Sequence, residues 1–161
     1  MRWDLITRFE VLKKGVRALA VKSYTGREDF FKEHFPQKPL VPETLLIEMI
    51  AQAGGILFGL GLDFQKEVIL AKIEDARFYA PVPPPCALTI EARLDDERED
   101  GAWIHGSVTC KNKKIMEAKI LLAAVDGLVE GKKNIVFNER LMKSYGIPAI
   151  AKKNGDRGEA P

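Results

Sequence analysis

The sequence predicts an α+β fold in which one strongly curved antiparallel sheet wraps around a single long helix. Three observations lead there: a helix-period apolar stripe from Pro42 to Leu62, a hairpin before it, and four strand-like segments after it. The helix is apolar over most of its circumference, so it needs a sheet curved around it rather than a flat surface beneath it. At 161 residues and 46% hydrophobic, the chain has the material for one ordinary domain with a core.

In the first segment, Trp3 to Leu12, the residues Trp3, Leu5, Phe9 and Val11 fall on one period-2 face, and Ile6 and Leu12 break the alternation. Lys13-Lys14-Gly15 signals a turn, and Val16 to Tyr24 completes the hairpin. Thr25 to Val41 is a long connection with Gly26, Pro36 and Pro39 as breakers and Phe30, Phe31 and Phe35 as apolar anchors. Connections of that length are often functional. Pro42 suits the first turn of a helix, where a missing N–H costs nothing, and Glu43 complements the positive end of the helix dipole. Leu46, Met49, Ile50, Ala53, Ile56, Leu57 and Leu60 then form the wide buried stripe. Thr44, Glu48, Ala51, Gln52 and Gly55 make a second face of small and polar residues that a ligand or second subunit could approach. Val68 to Tyr79, Leu88 to Arg98, Ala102 to Lys111 and Lys114 to Val125 read as strands, the last three as a meander.

From Gly127 the character changes. Gly131 to Pro161 holds seven Lys/Arg against three Asp/Glu, whereas the rest of the chain holds 18 against 20. We therefore divide the chain into a body, 1–126, and a basic C-terminal tail, 127–161, with a short helix over Asn138 to Tyr145 and disorder over Ala151 to Pro161. A net charge of +2, with no arginine-rich run interleaved with aromatics, argues against nucleic acid as a partner. Arg2, Asp4, Arg8 and Glu10 interrupt the start of the chain, leaving no apolar core for a secretion signal, so the expected location is cytoplasmic. The longest apolar run, Ile47 to Leu62, contains Glu48 and Gln52 and falls short of the ~20 residues of a membrane span. Cys86 and Cys110 are expected as free thiols, and the two histidines offer no metal-ligand spacing.

Two side chains invite chemistry. His34 lies in the proline-punctuated loop, and Glu48 lies within an otherwise apolar helix between Ile47 and Met49. Burying a carboxylate without a partner costs several kcal/mol or forces it to take a proton, so a carboxylate in that setting points to acid/base work. His105, on one strand face with Trp103 and Ser107, is read as structural.

His34-Phe35-Pro36, Pro39, Pro42, then Glu48 and Ala51-Gln52 resemble the signature of the (3R)-hydroxyacyl-acyl-carrier-protein dehydratases of bacterial fatty acid synthesis. Val21-Lys22, Phe30-Phe31, Ala76-Arg77-Phe78 and Pro81-Val82 extend the similarity, which covers residues 3–125. The resemblance implies a hotdog fold and a homodimer, often assembled further into a hexamer, with His34 of one chain facing Glu48 of the other. It implies His34 as base, Glu48 as acid, backbone N–H groups near Glu43 and Thr44 polarising the thioester carbonyl, and Phe35 and Gln52 beside the substrate. The implied partner is acyl carrier protein, an acidic protein that basic residues of the tail could steer, and this side-chain chemistry needs no metal or organic cofactor. The chain departs from the family pattern at Glu33 and Glu43, where glycines are usual, and at Ala80 and Pro84-Pro85-Cys86. A thioesterase in which Glu48 activates water, and a non-catalytic acyl-binding protein, are the alternatives.

Overall fold

The computed structural model describes residues 4–127 and 135–147. Six antiparallel strands, β1 (Arg8–Lys13), β2 (Arg17–Tyr24), β3 (Glu67–Phe78), β4 (Cys86–Glu97), β5 (Gly101–Cys110) and β6 (Lys113–Val125), form one sheet in the order β1-β2-β4-β5-β6-β3, and one long helix lies against it. The hairpin joins β1 (Arg8–Lys13) to β2 (Arg17–Tyr24) through a turn in which Gly15 adopts φ +69°, the left-handed conformation that glycine takes without strain. A bulge between Phe9 and Val11 shifts the register of β1. That extra residue explains the broken alternation: Phe9 and Leu12 both turn into the core, and Val11 is only half-buried. Trp3 lies outside the described residues.

Helix α1 (Glu43–Gly61) starts behind Pro42 and ends at Leu62, one residue inside each expected limit. Its apolar stripe sinks fully into the concave face, where Met49, Ile50, Ala53 and Leu57 are inaccessible to solvent. The approach is close because β5 offers a glycine. A Cβ on Gly106 would drive into the Ile50 side chain, and a Cβ on Gly54 of the helix would stand 3.0 Å from Ile104. Gly106→Ala is therefore expected to cost about 1–3 kcal/mol by overpacking. The check is a lower denaturant midpoint with an unchanged slope, since the surface exposed on unfolding stays the same.

The remaining strands are β3 (Glu67–Phe78), β4 (Cys86–Glu97), β5 (Gly101–Cys110) and β6 (Lys113–Val125), with β4 to β6 forming the expected meander. Among the described residues strand β3 pairs only with β6 and leaves a 12-residue edge carrying exposed Leu70, Ile73 and Phe78. An unpaired edge of this length is an open template for another strand, although Lys72, Glu74, Asp75 and Arg77 put charges along it. Cys86 and Cys110 are both free. In the tail, a short helix α2 (Glu139–Ser144) is capped by Asn138, whose side chain accepts from the Leu141 N–H at 3.0 Å. Ala151 to Pro161, where disorder is expected, lies outside the described residues.

Candidate active site

The loop before α1 is held by aromatic packing. Tyr24 meets Phe30 and Phe31 edge-on, with ring centroids 5.4 and 5.8 Å away. A short 3₁₀ turn, Asp29–Lys32, follows, and the His34 N–H donates to the Phe30 carbonyl at 2.8 Å. At the far end the Val41 N–H donates to Val82, tying the loop to the proline-rich segment. The half-buried His34 ring places Nδ1 3.1 Å from the Leu40 carbonyl. A carbonyl only accepts, so Nδ1 carries the proton and a neutral ring keeps its lone pair on Nε2. Phe35 has φ +57°, unusual for a residue with a side chain, and lays its ring 4.4 Å from the imidazole while 56% exposed. Strain of this kind persists only where its surroundings enforce it and tends to collect at functional sites.

The second group sits on α1. Gln52, one turn after Glu48, donates from Nε2 to the Glu48 carboxylate at 3.1 Å. Its carbonyl oxygen accepts from the Tyr145 hydroxyl, also at 3.1 Å. Burial pushes the Tyr145 phenol up to about 12, with Asp4 and Glu48 adding to the shift, so it remains a donor throughout the neutral range. A phenol that donates fixes the amide orientation, with Oε1 toward Tyr145 and Nε2 toward Glu48.

Glu48 and Gln52 line one side of a cavity of about 490 Å³. Its walls are mainly apolar, from Ile56 on the helix, Val68 and Leu122 on the sheet, and Val136, Phe137 and Leu141 on the tail. Gly55 opens onto this space, since a Cβ there would meet only Val68 Cγ1, at 3.9 Å. An elongated apolar ligand with one polar end suits such a chamber. His34 is not among the residues that line this cavity. Glu43 and Thr44, at the first turn of α1, are exposed, and Pro42 in the cap position brings no side-chain acceptor. Among the described residues, no three His, Cys, Asp or Glu side chains gather as a metal site.

Sequence reasoning missed the tail's part in this wall. Glu67, only 4% exposed, accepts from the backbone N–H groups of Ile135 and Val136, the latter at 2.9 Å. Phe137 packs against Gly59 and Phe64, and Tyr145 meets Phe9 edge-on at 5.7 Å. The available signal was the run Ile135, Val136, Phe137, Leu141, Tyr145 and Ile147, an apolar set too regular for a purely solvated tail.

Residues 3–119 match the model of the FabA-like domain. The chain is 36% identical over 132 residues to a 3-hydroxyacyl-[acyl-carrier-protein] dehydratase FabZ of Hydrogenobaculum sp. (strain Y04AAS1), covering 80% of this chain and 88% of that enzyme. It is 33% identical over 123 residues to the enzyme of the same name from Clostridium acetobutylicum, covering 75% and 86%. Among solved structures it resembles the uncharacterized protein PH1136 of Pyrococcus horikoshii, with a TM-score of 0.60 at 18% identity over 76% of this chain and 85% of the other. At that identity the likeness speaks for the fold alone. With a six-stranded antiparallel sheet around one central helix, and the dehydratase sequence relationship running through most of it, the chain has the hotdog fold and belongs to the FabA-like family of 3-hydroxyacyl-acyl-carrier-protein dehydratases.

Proposed function

We propose that the protein removes water from a 3-hydroxyacyl thioester carried on acyl carrier protein, giving the trans-2-enoyl thioester. The reading rests on the Glu48 carboxyl, held by the Gln52 amide at the rim of an apolar cavity, in a chain of the dehydratase family. His34 Nε2 takes the C2 proton. The C2 electron pair forms the double bond to C3 as the C3–O bond breaks, and Glu48 gives its proton to the departing hydroxyl, which leaves as water. Return of the abstracted proton to Glu48, through solvent, closes the cycle. N–H groups at the start of α1, near Glu43 and Thr44, receive the charge that builds on the thioester oxygen, and the side chain of Phe35 flanks the bound thioester.

His34 and Glu48 meet across a two-fold axis in a homodimer. Support comes from the unpaired edge of β3, where exposed Leu70, Ile73 and Phe78 leave room for two copies to pair strand to strand. Higher assembly to a hexamer and a cytoplasmic location accompany this reading. The test supplies a 3-hydroxyacyl-acyl-carrier-protein to the purified protein and follows the absorbance of the conjugated enoyl thioester. Release of free thiol without enoyl product would instead assign a thioesterase, and binding of acyl chains without turnover a carrier.

A further inference from the structure

The tail does more than follow the body. Residues 135–147 lie beyond the 3–119 stretch that matches the family domain, yet they close one wall of the cavity and bond to Gln52, whose amide donates to the Glu48 carboxylate. We infer that this segment is a working part of the site, in which Tyr145 positions the Glu48 carboxyl through the Gln52 amide while Val136 and Phe137 bound the space for the acyl chain. The inference rests on the dehydratase reading of that cavity.

Three features place the segment. At its start, Glu67 accepts two successive backbone N–H groups, from Ile135 and Val136. A buried carboxylate needs such donors, and this one gains its partners only when the tail is docked. Next, Phe137 fills the notch left by Gly59, where a Cβ would stand 2.6 Å from the ring. The helix therefore lacks a side chain where the tail crosses it. Finally Tyr145, buried against Phe9, donates to Gln52.

The consequence for Glu48 is geometric. Gln52 is a long side chain with several rotamers, and the bond from the phenol narrows them. With the phenol bonded to Oε1, Nε2 is aimed at Glu48 and the carboxyl has one preferred orientation. Tyr145 touches no substrate atom in this scheme and is a positioning residue. Phe137 and Val136 set chain length, because they stand where a longer chain would have to extend.

The experiment has two independent arms on the full-length protein. In the first, hydrogen exchange at the Ile135 and Val136 amides should be slowed in the wild type and fast in Glu67→Gln, which replaces one acceptor by a donor. Free-peptide exchange at both amides in the wild type overturns the docked segment, whatever the protein catalyses. In the second, Tyr145→Phe keeps the ring on Phe9 and removes only the hydroxyl. Its kcat should fall about tenfold, as when a partner behind a functional ligand is lost, with KM within about twofold. Adding it to Gln52→Ala should change nothing further, because the phenol acts through that amide. An unchanged kcat in Tyr145→Phe, or full additivity with Gln52→Ala, overturns the positioning role. Phe137→Ala should raise kcat/KM for a long acyl chain relative to a short one, and an unchanged ratio overturns the wall. Should the wild type turn over no thioester at all, the dehydratase reading and the roles in turnover fall together, and the exchange arm alone decides whether the segment is docked.

Discussion

His34→Ala is expected to lower kcat by about 10²–10⁴-fold while leaving a folded protein, because it removes the group assigned to take the C2 proton and little else. Among the described residues the imidazole makes one hydrogen bond, to the Leu40 carbonyl, and one ring contact, with Phe35, in a loop half open to solvent. Losing one such bond at a partly exposed site costs on the order of 1 kcal/mol of stability, because water can satisfy the freed carbonyl. Backbone anchors on both sides, His34 N–H to Phe30 and Val41 N–H to Val82, survive the change. Glu48→Gln should give a loss of the same order, since the amide keeps the shape but has no acidic proton for the departing hydroxyl. The measurement is enoyl-thioester formation under saturating substrate, set beside a denaturant midpoint for each variant. Near-wild-type kcat in either variant removes that residue from the chemistry.

How the chain folds was legible wherever a local rule decided it. Pro42 marked the start of α1, and the spacing from Leu46 to Leu60 gave the face that meets the sheet, because both depend only on neighbours along the chain. The strands β2 to β6 lie within a residue or two of the segments that the turn residues mark off, whereas β1 begins at Arg8 rather than Trp3, and the family motif includes His34, Glu48 and Gln52. The bulge at Phe9–Val11 was not found, since one extra residue leaves no mark in composition and only an apparent fault in alternation. Least visible were contacts between distant residues of unlike type. Tyr145 and Gln52 are 93 positions apart, and Glu67 reaches backbone groups 68 and 69 positions away. No periodicity encodes a hydrogen bond of that kind. Similarly, only the folded chain shows that Gly59 and Gly106 are small because Phe137 and Ile50 press against them.

Mixing two inactive variants should restore activity if the site is shared between subunits. A His34→Ala chain retains Glu48, and a Glu48→Gln chain retains His34. In a mixed dimer one site would combine both substitutions and stay dead, while the other would combine both native residues. With equal amounts and free exchange of subunits, half the dimers are mixed and each has one working site of two, so about a quarter of wild-type activity should return. That recovery starts from backgrounds depressed about 10²–10⁴-fold, which makes it large against noise. A site built from the His34 and Glu48 of one chain predicts no recovery at any mixing ratio. Subunit exchange is the remaining variable, and in the proposed dimer it depends on the β3 edge: Ile73→Lys, at a position 45% exposed in the single chain, should weaken strand pairing between copies by replacing an exposed apolar side chain with a charge. Activity in that variant should therefore fall as the protein is diluted and rise as it is concentrated, in step with dimer content measured by sedimentation. Activity independent of concentration, in protein shown to be monomeric, would locate the whole site within one chain and leave the mixing experiment without its cause.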